Sequence, residues 1–247
     1  MRKFLIMVLV IASGYAYGQG NTLYSGEMVT PKMGKTAAFE KQWKAHMAKF
    51  HGKNDARHVF EILSGDYTGN YLLFEGPTSY ADMDKTKANS EAHGLDFDMN
   101  VIPTLEKVTG SDIWRQVDSL SYNNTVPTEK TLTTIYNLKY GKGPDLNAEI
   151  KRAININKII KSPSSYTTYI KIMAGSHPQF VIVTNLKDGF KQLDDTFAPM
   201  GTTFKDAYIK EYGQEMWDKR GKLLPEITES VVVYLSKYRQ DLSTVMK

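Results

Sequence analysis

One pattern in this chain occurs twice, and it restricts the fold more than any other feature. Phe60-Glu61-Ile62-Leu63-Ser64-Gly65, followed after a polar turn by Tyr71-Leu72-Leu73-Phe74, is echoed by Ile170-Lys171-Ile172-Met173-Ala174-Gly175 followed by Phe180-Val181-Ile182-Val183. Each pair reads as a β-hairpin: a mostly apolar strand, a loop opened by Gly, then a near-continuous apolar run suited to burial on both faces. The two copies lie about half the chain apart, the spacing that duplication of one unit produces.

The surroundings repeat as well. Thr22 to Val29 reads as a strand, and Thr36 to His51 carries Phe39, Trp43, Met47 and Phe50 as one helical stripe. Thr78 or Ser79 can cap a second helix running through Tyr80 and Met83, and Asp112 to Val117 closes the unit as a strand. In the second half Thr131 to Leu138 is the first strand, and Leu146, Ile150, Ala153, Ile154 and Ile160 stripe the helix that follows. The hairpin comes next, then helical sequence from Asp188 to about Lys222 and a last strand, Ser230 to Tyr238. Both halves therefore read βαββαβ, the ferredoxin-like split βαβ, in which two helices cover one face of a four-stranded antiparallel sheet. The other face is left bare, and two copies bury those faces against each other. The expected class is α+β: two ferredoxin-like repeats, 19–120 and 131–247, packed sheet to sheet, with the polar, Pro-containing stretch 121–130 as linker.

In element order and duplication the chain resembles the dimeric α+β barrel superfamily, which includes antibiotic-biosynthesis monooxygenase-like domains, and in particular its tandem members. The resemblance covers most of residues 20 to 240 and brings no signature motif. It implies an intramolecular barrel with a ligand between sheet and helices. The activities it implies are cofactor-independent oxygenases, haem-degrading enzymes, haem-dependent chlorite dismutase-like proteins, or stress-responsive proteins without known chemistry.

Other features bound the function. Arg2 and Lys3, the apolar run Phe4 to Ala12, and Ala16-Tyr17-Gly18 form a secretory signal over residues 1–18, with cleavage expected before Gln19 and a periplasmic or secreted destination. Nine apolar residues are about half of the ~20 a bilayer helix requires, and Val231 to Leu235 is shorter still, so the mature protein is expected to carry no membrane span. Cleavage removes two of 31 basic residues and none of 27 acidic ones, taking the formal net charge from +4 to +2. With the signs interspersed along the helical segments, nucleic acid is not an expected partner. The absence of Cys excludes disulfides, thiolate metal sites and cysteine nucleophiles. A composition 41% hydrophobic and 23% charged, with 15 Tyr, 10 Phe and 3 Trp, can fill a sizeable core.

His46 is the candidate catalytic residue. It falls near the centre of the apolar stripe of the first helix, where an imidazole can act as general base, bind a metal or donate to an oxygenated ligand, or can simply be a core histidine satisfied by a backbone carbonyl. Aligning the stripes at an offset of 111 places Asn157 opposite it, although the hairpins align at 110. Trp43, His46, Tyr71, Trp114 and Asn157 are the expected ligand-binding set for a flat hydrophobic molecule. His51, His58, His93 and His177 read as turn or surface residues, and no two histidines stand at i, i+3 or i+4, so no metal site is expected. No cofactor is predicted, though haem requires only one axial histidine, for which His46, His93 and His177 are candidates. Gly34-Lys35-Thr36 lacks the glycine five positions earlier that a phosphate-binding loop needs, and Gly141 to Asp145 is accounted for as a turn. The expected function is an exported binding protein for a small apolar or aromatic molecule, acting as a monomer with an internal pseudo-dimer or as a homodimer. The alternatives are an oxygenase-like or haem-dependent enzyme, and a structural or interaction protein with no ligand.

Overall fold

The computed structural model describes residues 22–52, 56–85, 90–124, 128–172, 178–196 and 202–244. The proposed signal sequence and the turn holding His177 lie outside the described residues. The first half runs β1 (Leu23–Pro31), α1 (Thr36–Phe50), β2 (Arg57–Ile62), β3 (Tyr71–Thr78), α2 (Tyr80–Met83), α3 (Ser90–Asp96), β4 (Leu105–Val108) and β5 (Asp112–Gln116). The second runs β6 (Lys130–Leu138), α4 (Gly143–Ile159), β7 (Tyr166–Ile172), β8 (Gln179–Asn185), α5 (Gln192–Thr196), α6 (Thr202–Tyr212), α7 (Gln214–Ile227) and β9 (Thr228–Tyr238).

Two elements are more broken than their sequence patterns suggest. The closing strand of the first half is split, with β4 opposite Val29 to Pro31 and β5 opposite Leu23 to Gly26 on the same side of β1. Between them Thr109 turns its hydroxyl onto the Met28 backbone, accepting from the amide at 2.8 Å and donating to the carbonyl at 3.0 Å. Among the described residues the long helical stretch after Asp188 becomes three α-helices, and Gly213, at φ +87°, makes the break between α6 and α7 that an L side chain would resist.

The strands close into one antiparallel barrel. Neighbours run β3-β2-β9-β6-β8-β7-β5-β1, and β1 pairs with β3 to complete the ring, with β4 beside it. Each half contributes its strands in the order closing, first, third, second. The halves meet edge to edge rather than only face to face: Phe60 to Ile62 of β2 pair with Tyr238 to Ser236 of β9, and Ile113 to Gln116 of β5 pair with Ile172 to Tyr169 of β7. The expected face-to-face packing of two separate sheets is corrected accordingly. A four-stranded sheet has two edges of unpaired N–H and C=O groups, and joining β2 to β9 and β5 to β7 satisfies all four.

The outer face of the barrel carries the helices, and the layer between them is solid core. Phe39, Trp43 and Met47 of α1 pack with Val29, Val59, Tyr71 and Leu73 of the strands. Leu146, Ile150 and Ile154 of α4 do the same with Leu138 and Phe180 of the strands and with Ile227 at the end of α7. The cleft expected between sheet and helices is therefore filled by these side chains among the described residues. Trp43 Nε1 donates to the carbonyl of Leu242 at 2.9 Å, and the Val59 amide to the Ser243 hydroxyl at 2.9 Å, so residues following β9 are stitched to the first half. The stretch read as linker is also held: Tyr122 is buried and donates to the carbonyls of Asn157 and Ser162 at 3.0 and 3.2 Å.

Candidate functional site

Strand alternation sends every second side chain inward, and those residues enclose a cavity of about 720 Å³ inside the barrel. The partition is visible strand by strand. Tyr24, Gly26 and Met28 of β1 face the cavity while Leu23 and Val29 face the helices; Leu72 and Phe74 of β3 face inward while Tyr71 and Leu73 face outward. On β8, Val181, Val183 and Asn185 line the cavity while Phe180 and Ile182 join the outer core. The volume lies within the ~300–1,000 Å³ of small-molecule sites.

The lining mixes aromatic rings with uncharged polar groups. The first half supplies rings: Tyr24 stacks on Phe74 at 4.8 Å between centroids, and Tyr169 of the second half stands edge-on to both. Gly26 is what lets these rings close in, since a Cβ there would lie 3.2 Å from Phe74 and 3.3 Å from Trp114 Nε1. The second half supplies hydroxyls and amides from Thr131, Thr133, Thr167, Asn185 and Ser236. No Lys or Arg lines the cavity among the described residues, and Asp112 is paired with Lys171 at 2.7 Å. A phosphate or carboxylate would find no cation, whereas an uncharged molecule with rings and oxygen substituents finds both surfaces it needs.

His58 is the cavity's one histidine among the described residues, and its Nδ1 lies 3.4 Å from the Tyr238 hydroxyl. Burial pushes its pKa below the ordinary imidazole value, so the neutral, proton-accepting form is favoured. The same burial raises Tyr234 to about 12 and pushes Tyr169 up as well, keeping these phenols protonated as donors. Because His58 takes up its proton at lower pH when folded than when unfolded, the unfolded chain binds more protons between the two values. Stability therefore falls as pH drops through the unfolded value of about 6.5. Urea titrations at pH 7 and pH 5 are expected to show a smaller acid loss in His58→Gln than in the wild type; equal losses would refute the assignment.

The residues singled out from sequence are not brought together. Trp114 lines the cavity. Trp43, His46 and Tyr71 lie across the barrel wall, in the core under α1. Asn157 is buried under α4, in the other half. The Tyr71 hydroxyl donates to Glu40 at 2.6 Å, and Glu40, which also accepts from Arg239, is held below the usual carboxylate range. His46 is buried, as its place in the stripe implies, but both ring nitrogens are engaged by protein: Nδ1 with Asp96 Oδ2 at 2.9 Å and Nε2 with His93 at 3.1 Å.

Three histidines read as turn or surface residues are in fact drawn inward: His58, on a strand, lines the cavity, and two others lie under the helices. His51 is buried, and His93 is half-buried beside it. Their spacing gives no helical signal, because His51 follows the last residue of α1 with extended backbone (φ −113°, ψ 110°), and His93 comes from α3. The missed signal for the cavity was the strand alternation itself, Tyr24-x-Gly26-x-Met28 and His58-x-Phe60. Haem does not fit the candidate axial residues that are described: the Nε2 atoms of His46 and His93 are turned on each other and on His51 within 3.4 Å, which leaves no room for a macrocycle.

Solved structures share this architecture. A proposed monooxygenase from Lactobacillus acidophilus NCFM superimposes with a TM-score of 0.56 at 10% identity, covering 92% of this chain and 97% of its own. An anthrone oxidase-like protein gives 0.52 at 10% identity, covering 90% and 92%. A chlorite dismutase from Candidatus Nitrospira defluvii gives 0.53 at 8%, covering 91% and 94%. No family model and no curated protein matches the sequence. What this chain shares with them is the fold, a closed antiparallel barrel with helices on its outer face. No helix among the described residues is long and apolar enough to cross a membrane.

Proposed function

We propose that this chain binds a flat, uncharged aromatic molecule bearing oxygen substituents inside its barrel. The observation that carries the reading is the 720 Å³ cavity, whose lining combines aromatic rings with uncharged hydroxyls and amides. A polycyclic phenol or quinone would stack on Tyr24, Phe74 and Trp114 and direct its oxygens toward Thr133, Thr167 and Asn185. Such a pocket supplies apolar burial for affinity and a few placed polar groups for orientation.

An oxygenase-like reading puts the same molecule in the same cavity. Structural neighbours that include a proposed monooxygenase and an anthrone oxidase-like protein favour it over a purely carrying role. In this reading His58 accepts the proton of an acidic hydroxyl or activated methylene, and Tyr238 orients the imidazole. The matching strand order of the halves supports descent from one doubled module, with the barrel closing inside a single chain. The charged and apolar segments at residues 2–12 support export.

The test is a fluorescence titration with 1,8-dihydroxyanthraquinone, using Trp114 as the reporter in a Trp43→Phe, Trp217→Phe background. Saturable quenching with micromolar affinity, several-fold weaker for anthracene, is expected. Dioxygen uptake with anthrone as substrate, lost in His58→Gln, would establish turnover. Failure of both ring systems to bind would refute the reading.

A further inference from the structure

We infer that His46, His51 and His93 form a three-nitrogen site for a divalent cation of the zinc class, on the helix side of the barrel and separate from the cavity. The three Nε2 atoms make a closed triangle with sides of 3.1 Å (His46–His93), 3.0 Å (His93–His51) and 3.4 Å (His51–His46). Each side is within hydrogen-bonding distance, yet an imidazole nitrogen either carries a proton and donates or offers a lone pair and accepts. Around a ring of three, no assignment of two roles makes every neighbouring pair complementary. At least one side sets donor against donor or acceptor against acceptor.

A cation at the centre removes that conflict, because it accepts all three lone pairs. A tetrahedral metal with bonds of about 2.0–2.1 Å to imidazole places its nitrogens about 3.3 Å apart, close to the observed triangle. The tautomer is set for it. Asp96 Oδ2 takes the Nδ1 hydrogen of His46 at 2.9 Å, so the Nε2 lone pair of His46 points into the cluster. Asp96 is itself fixed by Lys49 Nζ at 2.9 Å. A carboxylate behind a ligating histidine is the usual outer support of such sites.

The surroundings fit as well. His93 and Asp96 stand three apart on α3 and reach α1 from one face, so α3 delivers both a ligand and an outer partner. Phe50 meets the His93 ring edge-on at 5.3 Å, and Phe97 and Trp43 flank His46 at 5.6 and 5.9 Å, forming the apolar shell that sharpens a metal site. Three imidazoles select zinc, copper, iron or nickel over calcium or magnesium, and they leave a fourth position for water or another exchangeable ligand. Holding α3 against α1 is the structural consequence of filling the site.

Chelator-treated full-length protein titrated with Zn²⁺ by calorimetry is expected to take up one equivalent with sub-micromolar affinity and to gain thermal stability. Co²⁺ in the same protein is expected to give the intense visible bands of four-coordinate geometry, a readout that needs no variant. His93→Ala, chosen because His93 is the least buried of the three, should weaken binding by more than the roughly 10–100-fold expected for the outer-partner variant Asp96→Asn. His58→Gln should leave it unchanged. Absence of Zn²⁺ uptake at micromolar concentration, a six-coordinate Co²⁺ spectrum, or full affinity in a folded His93→Ala protein would each overturn the assignment.

Discussion

Val183→Trp is expected to lower affinity for a polycyclic aromatic ligand by roughly 100-fold or more while leaving the fold intact. Val183 sits on the inward face of β8, in the cavity lining, between Val181 and Asn185. An indole placed there extends into the space a ligand would occupy. Adding atoms to a filled core costs about 1–3 kcal/mol, because neighbours must leave their rotamers, but here the new ring enters a cavity of about 720 Å³. Denaturant midpoints should therefore stay close to those of the wild type while the quenching titration is lost. Retained affinity would mean that the ligand binds elsewhere.

Trp43→Ala is expected to do the opposite. Trp43 is 1% exposed, packs with Phe39 and His46, and has its indole N–H on the Leu242 carbonyl. Truncating a buried tryptophan removes about 3–5 kcal/mol, which for a chain of this size lowers the melting temperature by about 6–20 °C. The Leu242 carbonyl also loses its donor, which loosens the attachment of the C-terminal segment to α1. Ligand affinity in the surviving folded fraction should be close to normal, because Trp43 does not line the cavity. Trp114→Ala should show the reverse balance: weak binding with little loss of stability. Scanning calorimetry paired with the titration separates the two tryptophans, which sequence alone placed in one site.

Why the sequence led to one site and the structure to two places follows from what each type of pattern encodes. Helical stripes such as Phe39, Trp43 and Met47 report which face of a helix is buried, and hairpin runs such as Tyr71 to Phe74 report strands, so the element order and the burial of His46 were legible. A strand buried on both faces reads as uniformly apolar, and Tyr71-Leu72-Leu73-Phe74 gives no sign that Tyr71 and Leu73 enter a solid core while Leu72 and Phe74 enter a cavity. That distinction depends on barrel closure, which is set by the edge pairings β2–β9 and β5–β7 between residues more than fifty positions apart. The histidine cluster was hidden for a related reason. Its ligands come from two helices, and His51 reaches His46 only because α1 ends at Phe50 and the chain turns extended there.

The proposed ligand site is the barrel interior, and not the layer under the helices. A crystal structure with 1,8-dihydroxyanthraquinone tests it most directly. The expected result is a ring system lying against Tyr24, Phe74 and Trp114, with its oxygens toward the hydroxyls of β6 and β7 and Trp43 undisturbed. Density for the ring system between α1 and the strands, with Trp43 or Tyr71 displaced, would contradict the claim.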